Sequence, residues 1–340
     1  MKVLVTGANS LLGANIMDEL LKAGYAVRGM VRRKASIPFE APQMEVSEGS
    51  IESSGDIYRA VAECQAVIHV AADTSQRSQP YKAYQQVNAG GTKRLIEAAQ
   101  SHGVQKFIYV SSANTLGYGN LESPGTETMP LRYPFSHSLY ARSKKEAEDA
   151  ALHLGKTGKM EVVIVHPCFM IGPYDRKPSS GAILLRAYQK RLLLAPPGGK
   201  NFVHVRDAAS AITQAITRGK NGEHYLLGGE NMSYATFYRR MREITADRFR
   251  ILIIPQLAMK AAGVIGSMLA SCGISNAFHL NNMRILCVKN YYSPRKAIEQ
   301  IGLPQTPVST AIAEATEWFT QAGMRSPKAP PTTHKLSFSS

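Results

Sequence analysis

The chain is short of cysteine, of acidic residues and of long apolar runs, and each shortage removes a class of protein. Its four cysteines, Cys64, Cys168, Cys272 and Cys287, are widely scattered and form no C-x-x-C pair. That excludes a disulfide framework and fits free thiols in a reducing cytoplasm. The nine histidines show no ligand spacing, so no metal site is expected. No stretch reaches about 18 uninterrupted apolar residues, the length that a spanning helix needs. Met1 leads straight into a charged residue and a strand, which is not the pattern of a signal peptide, and the expected location is the cytoplasm. Acids number 25 against 40 basic residues, a net charge of +15. Such a balance suits nucleic acid or an anionic membrane surface. Here the basic residues are spread along the chain, which fits a basic enzyme with an anionic cofactor. No nucleic-acid partner is expected, and only a weak tendency toward membrane surfaces.

What is present begins at the N-terminus. Lys2 to Thr6, K-V-L-V-T, is a short β-branched run that ends in G-A-N-S-L-L-G, Gly7 to Gly13. Ile16, Leu20 and Ala23 then recur at helical spacing, and Gly24 closes the helix. Strand, glycine turn and helix open a dinucleotide-binding βαβ unit. A turn without Cβ atoms lets backbone N–H groups approach a pyrophosphate, whose charge the helix N-terminus favours. Ser10 stands where a further glycine is common; a negative φ there would preserve the turn.

Tyr25 to Val31 reads as the second strand. A carboxylate at its end would bind ribose hydroxyls and select NAD. Instead Val31 is followed by Arg32, Arg33 and Lys34, cations suited to a 2′-phosphate. NADP(H) is therefore the preferred cofactor, with NAD(H) as the alternative. Further strands are expected at Met44–Val46, Ala66–Val70, Lys106–Val110 and Val162–Val165, with a short helix around Ile57–Val61. Small residues Ala71 and Ala72 follow the fourth strand, where backbone can approach a ligand; His69 beside them reads as a packed structural histidine. Asn88, in V-N-A-G-G-T, is expected to open a helix.

Ser111 and Ser112 stand at the end of the fifth strand, and a long irregular stretch, Asn114 to Ser138, follows. A loop of that length is often a binding segment or lid. Tyr140 and Lys144 are four apart at the start of a helix and share one face. A hydroxyl at a strand end, a helical Tyr-x-x-x-Lys and a dinucleotide unit make one mechanism. A lysine ammonium would lower the phenol's pKa, tyrosine would exchange a proton with a substrate oxygen, serine would hold that oxygen, and hydride would move to or from a nicotinamide.

The chain resembles the extended short-chain dehydrogenases/reductases, the NAD(P)-dependent epimerase/dehydratase superfamily, over roughly Met1 to Phe319. The resemblance rests on T-G-A-N-S-L-L-G, H-V-A-A, V-N-A-G-G-T, Y-V-S-S-A, Y-A-R-S-K, H-P-C-F-M-I-G-P and F-V-H-V-R-D-A-A. It implies Ser112, Tyr140 and Lys144 as catalytic residues, with Asn88 ordering the site through backbone and water. It places the cofactor against Gly7, Asn9, Ser10, Leu11, Leu12, Gly13, Arg32, Arg33, Ile51, Ala71, Ala72, Tyr140, Lys144 and Pro167. Ser50 occupies the place of a usual adenine-binding Asp. Ala113-Asn114 replace the Asp-Glu of the dehydratases, and Lys200-Asn201 stand where nucleotide-sugar epimerases often carry an Arg. The chain looks closest to the dihydroflavonol-4-reductase-like and hopanoid-associated sugar epimerase-like branch, in which Gly228 to Asn231 and Asn290 to Ser293 also fit. A homodimer through the Tyr-x-x-x-Lys helix is implied as well.

In the second half, Ile183 to Leu194 reads as an amphipathic helix, Phe202 to Val205 as a strand, Ala208 to Thr217 as a helix and Tyr225 to Leu227 as a strand. Leu257 to Leu269 is apolar nearly all round and is expected to be buried in the substrate lobe; the alternative is a surface helix that touches membrane or admits a lipophilic substrate. The expected fold is α/β: a Rossmann-type doubly wound parallel sheet with a smaller, discontinuous mixed α/β substrate lobe. Residues 1–170, completed by about 201–230, would bind NADP; 171–200 and 231–324 would bind substrate; 325–340 would be a disordered tail. The expected activity is reduction of a ketone, or oxidation of a secondary alcohol, on a small hydrophobic or polycyclic substrate. A sugar or sugar-nucleotide epimerase using the same three residues is one alternative. A non-catalytic NADP-binding sensor is the other.

Overall fold

The computed structural model describes residues 1–34, 37–75, 80–156, 160–272 and 278–325. From the N-terminus come β1 (Lys2–Thr6), α1 (Leu11–Lys22), β2 (Ala26–Val31), β3 (Met44–Glu48), α2 (Ser54–Val61) and β4 (Ala66–His69). Next are α3 (Tyr81–Gln85), a π-helical segment Gln86–Gly90, α4 (Gly91–Ser101), β5 (Lys106–Val110), α5 (Leu139–Lys156) and β6 (Glu161–Pro167). The second half holds β7 (Phe169–Ile171), α6 (Ala182–Ala187), β8 (Leu192–Ala195), β9 (Gly199–His204), α7 (Val205–Arg218), β10 (His224–Leu227) and β11 (Glu230–Ser233). The chain continues through α8 (Tyr234–Thr245), β12 (Arg250–Ile253), α9 (Gln256–Ser271), α10 (Leu280–Cys287), β13 (Lys289–Asn290), α11 (Arg295–Ile301) and α12 (Val308–Gln321).

Seven strands form one sheet in the order β10-β6-β5-β4-β1-β2-β3, and every neighbouring pair is parallel. Parallel strands are covered on both faces, so they read as continuous apolar runs such as V-L-V and A-V-I. On one face α1, α7 and α11 bury Leu12, Ile16, Leu20, Ile212 and Ile301; on the other α2, α4 and α5 bury Ile57, Leu95, Ile96 and Ala147. Strand order reverses between β1 and β4, which leaves a crevice beyond their carboxyl ends. Every strand of this sheet delivers its following loop to that edge.

A second sheet runs β11-β9-β13 with β7 on β9, and β8 pairs β12 separately. Its core is aromatic: Phe202 stacks on Phe237 at 4.3 Å between ring centres, and Phe169 meets Phe202 edge-on at 5.3 Å.

Five expectations are corrected. The helix expected over Ile183–Leu194 stops at Ala187, because Gln189 turns left-handed (φ +59°) and the chain enters β8. Leu193 and Ala195 are buried while Leu192 and Leu194 are exposed, a period of two that belongs to a strand. β9 begins at Gly199 and belongs to the second sheet, so α7 and β10 alone return to the main one. Asn88 does not open a helix: it lies within the π-helical segment between α3 and α4, an irregularity common at functional sites. The apolar helix α9 is exposed along much of its length; among the described residues α10 is its main cover. Arg325 is not tail: it is buried and donates to both oxygens of buried Asp247, at 3.1 and 2.9 Å. Residues 326–340, the rest of the expected tail, lie outside the described residues.

The Arg325–Asp247 pair gives a stability test. Arg325→Ala leaves a buried carboxylate without its cation, which costs about 3–5 kcal/mol. The expected result is a clear fall in the urea midpoint of unfolding.

Candidate active site

The turn after β1 sets the depth of the crevice. Gly7 has φ +66°, and a Cβ there would sit 2.9 Å from the Ala71 backbone; a Cβ on Gly13 would sit 2.2 Å from the Gly7 carbonyl. Neither position tolerates a side chain, so at Gly7 the turn presents bare backbone to the end of β4. Such a cradle fits a pyrophosphate at the N-terminus of α1. Ser10 has φ −81°, so the missing glycine costs nothing in backbone strain, and its hydroxyl accepts from the Gly13 N–H at 3.0 Å, capping α1. Leu11, Leu12 and Gly13 are buried beneath it, and Asn9 lies in the turn itself. Thr6 fastens β1 to β4: its hydroxyl accepts from the N–H groups of Val70 and Ala71, both at 3.2 Å, and lies 2.7 Å from His69 Nδ1. His69 Nε2 reaches Thr92 at 3.1 Å. Burial pushes this ring down to about 3, so it is a neutral latch, as its packing context suggests.

Arg32 and Arg33 are exposed just past β2, the strand paired with β1. Ile51 packs on Gly91, where a Cβ would meet its side chain at 3.1 Å. Two carboxylates that sequence reasoning missed are nearby. Glu48, at the end of β3, accepts from the Lys34 N–H at 3.1 Å, and Asp56 accepts from the Ser50 N–H at 3.0 Å. The signal for Asp56 was available in Ser53-x-x-Asp56, since Ser53 caps α2 through the Asp56 N–H.

The residues expected to react stand beyond β5: Ser112 lies two residues past its end, and Lys144 of α5 bonds its last carbonyl. Ser111 and Ser112 point to different places. The Ser111 hydroxyl donates inward to buried Glu148. Burial pushes the Tyr140 phenol up to about 12, with the Ser112 side chain opposing. Lys144, one turn further along α5, donates to the Val110 carbonyl at 2.6 Å and lies 4.3 Å above the Tyr109 ring. Burial lowers its amine to about 7, with Glu148 opposing. The expectation that a lysine cation lowers the phenol is therefore not met in the free protein, because burial dominates both groups and Lys144 is turned to a carbonyl. Asn88 touches neither reacting side chain. It clasps Asp73 through both backbone groups (2.7 and 3.1 Å) and donates to Ser143 at 2.8 Å, and Ser143 in turn donates to the Tyr140 carbonyl at 2.8 Å. It is a positioning residue. Pro167 ends β6 beside β10 at the same edge.

Behind Ser112 runs a buried polar chain that the sequence did not suggest. Glu148 accepts from Thr115 at 2.6 Å; Thr115 lies 3.1 Å from His166 Nδ1, and His166 Nε2 lies 2.8 Å from His224 Nδ1. Burial alone would raise Glu148, but His166, the Ser111 and Thr115 hydroxyls and Lys145 outweigh it and hold the carboxyl below its usual range. Burial likewise lowers both histidines. Glu148, His166 and His224 bring ligand-type atoms within 4.8 Å of one another, yet those atoms already engage each other or neighbouring hydroxyls. Glu148 is four residues past Lys144, so helical periodicity was its one visible signal. The second lobe closes on this network: the Tyr292 hydroxyl donates to the Ala113 carbonyl at 2.8 Å, and Gly119 and Gly125 of the long loop bridge to Tyr291 and Tyr292.

Lys144 supplies a test of the crevice. At about pH 8 an amine that titrates near 7 is largely neutral. An anionic dinucleotide beside it favours the ammonium, so binding at that pH takes up a proton; at about pH 6 the amine is already charged and uptake vanishes. Calorimetry in two buffers of different ionisation enthalpy reads the uptake, and Lys144→Met is expected to abolish it.

The model of the NAD dependent epimerase/dehydratase family matches residues 3–228. A Synechocystis protein named as a dihydroflavonol 4-reductase is 31% identical over 327 residues, 94% of each chain. Sterol demethylase protein B of Methylococcus capsulatus is 28% identical over 95% of this chain and all of its own. The crystal structure of gox2253 superposes with a TM-score of 0.82 at 28% identity, over 95% of this chain and 99% of that one. With its switch-point crevice and glycine turn, the chain belongs to the NAD-dependent epimerase/dehydratase family and is an NAD(P)-dependent oxidoreductase.

Proposed function

We propose that the protein is an NADP(H)-dependent reductase of a ketone on a hydrophobic, ring-bearing substrate, running in reverse as a secondary-alcohol dehydrogenase. The observation that carries this reading is the delivery of Ser112, Tyr140 and Lys144 to the carboxyl edge of β5, where Lys144, one turn past Tyr140 on α5, donates to the Val110 carbonyl at 2.6 Å. A nicotinamide cofactor, when bound, supplies or takes up the hydride. The residues of this chain do the rest. Ser112 holds the carbonyl oxygen and polarises it. Tyr140 donates its phenolic proton to that oxygen as the carbonyl carbon is reduced, and its raised pKa keeps it protonated until then. The charged form of Lys144, favoured by an adjacent anion, stabilises the phenolate left behind. Gly7, Asn9, Ser10 and the N-terminus of α1 would hold the pyrophosphate, Ala71 and Ala72 would give it room, and Pro167 would border the nicotinamide.

NADP is preferred over NAD because Arg32 and Arg33 stand exposed past β2, while Glu48 at the end of β3 accepts the Lys34 N–H of the same loop. The substrate class rests on two supports. Relatives carry the names of a dihydroflavonol reductase and a sterol demethylase component, enzymes of polycyclic compounds. Where an epimerase would need cations for a diphosphate, this chain offers Lys200, which lies 5.4 Å from the Phe135 ring and which burial lowers to about 8. Its neighbour Asn201 is committed to the backbone of Gly229 and to Asn231. That arrangement favours an uncharged substrate.

Removing the proton donor with Tyr140→Phe is expected to lower kcat for ketone reduction by about 10²–10⁴-fold, with NADPH affinity unchanged. Equal activity of variant and wild type would sink the mechanism. Arg32→Ala is expected to weaken NADPH by about tenfold or more, the scale of a charge-assisted contact, and to leave NADH unaltered. Equal affinity of the wild type for both cofactors would remove the NADP assignment.

A further inference from the structure

Helix α9 presents its apolar side to water. Leu257, Val264, Ile265 and Leu269 are 79, 42, 59 and 41% exposed. The buried side of the helix is small: a Cβ on Gly263 would lie 2.9 Å from the Leu280 backbone, so this side packs tightly on α10. Lys260 is the one charged residue of α9. A helix on the surface of a globular protein normally turns its polar stripe outward, and single exposed leucines need no explanation, whereas a contiguous apolar face does. A second run of exposed apolar residues lies just before α9 in the chain. In the β8–β12 ribbon Leu194 pairs with Leu252, and both are half exposed, as are Leu192 and Ile253. Only Ile254 and Pro255 separate β12 from α9.

Charge borders this apolar surface. Leu192 pairs with Arg250, and Arg191, Arg242, Arg248 and Arg250 line one shallow depression at that end of the ribbon. None of the four forms an ion pair among the described residues, while the carboxylate lining the depression, Asp247, is held by Arg325. Exposed leucine and isoleucine next to a cluster of guanidinium groups is the chemistry of a surface that rests on anionic lipid: the apolar face enters the acyl boundary and the arginines meet the headgroup phosphates.

We infer that α9 and the β8–β12 ribbon form a docking surface for an anionic lipid bilayer. No helix among the described residues is long and apolar enough to cross a membrane, so α9 lies in the plane of the interface. A second copy of this chain fits the surface less well, because the same patch on the copy would meet the arginines with Asp247 as the one carboxylate lining the depression, and Arg325 already holds it. The inference holds whatever the substrate. Its structural consequence is local to the site all the same, since Arg284 of α10 lies 5.6 Å from the ring of Tyr133 in the long loop after Ser112.

The test is co-sedimentation of the full chain with vesicles of roughly 70% phosphatidylcholine and 30% phosphatidylglycerol, against pure phosphatidylcholine, at about 0.1 M salt. The expected result is binding to the anionic vesicles that weakens about tenfold or more in each of two variants, Leu257→Glu with Ile265→Glu, and Arg191→Gln with Arg248→Gln and Arg250→Gln. Thermal unfolding and NADPH titration matching the wild type show that the fold is intact; the arginine variant keeps the test open if the helix variant does not fold. Wild type that stays in the supernatant with anionic vesicles overturns the inference, as does binding that both variants retain. A dimer in lipid-free solution that Leu257→Glu with Ile265→Glu converts to monomer assigns the face to a second copy and overturns it too.

Discussion

The approach of the β1 turn to the end of β4 is the constraint on which the site depends. Gly7 faces the Ala71 backbone with no room for a Cβ, and Gly13 lies equally close to the Gly7 carbonyl. Thr6 ties the two strands together at the same level through Val70, Ala71 and His69. This contact sits where the strand order reverses, so it decides both that a crevice exists and that its floor is bare backbone. A crevice floored by N–H groups at a helix N-terminus favours an anion before any side chain is considered. The reacting side chains then need only be delivered to the same edge, which parallel strands do without further design.

Delivery is made exact by buried polar groups that belong to no motif. Glu148 draws Ser111 inward, which leaves Ser112 as the serine at Tyr140. Thr115 and His166 brace the turn that follows, and Tyr292 reaches from the second lobe to the Ala113 carbonyl. Asn88 performs the equivalent task for Tyr140 through Ser143. Buried polar networks of this kind are costly unless every member is bonded, and their reward is a geometry that both lobes must agree on. The electrostatics follow the same logic. Burial leaves Tyr140 protonated and Lys144 near 7 in the free protein, so the charge that helps the chemistry is set by what binds.

The substrate lobe obeys a different balance. Its core is sealed by stacked aromatics around Phe202 and Phe237, while its outer elements, α9 and the β8–β12 ribbon, leave leucine and isoleucine in solvent, and arginines that form no ion pair among the described residues stand at the ribbon's end. A basic chain keeps such a surface soluble by self-repulsion.

By itself the sequence determined the first half. β-branched runs mark β1, β4 and β5 because strands covered on both faces must be apolar throughout, and the glycine turn and Tyr140-x-x-x-Lys144 are legible because their spacing is local. Tertiary structure decided the rest. α6 ends early and β8 begins because Leu193 and Ala195 find a core to enter, a fact that no local periodicity records. Leu257 to Leu269 has the composition of a buried helix, and only the number of neighbours available to cover it put its apolar side in water. Glu148, His166, His224 and Tyr292 lie far apart in the chain, so their meeting behind Ser112 could not be read from spacing. Local chemistry is written in neighbouring residues; burial depends on which distant surfaces meet, and that is settled only when the chain has folded.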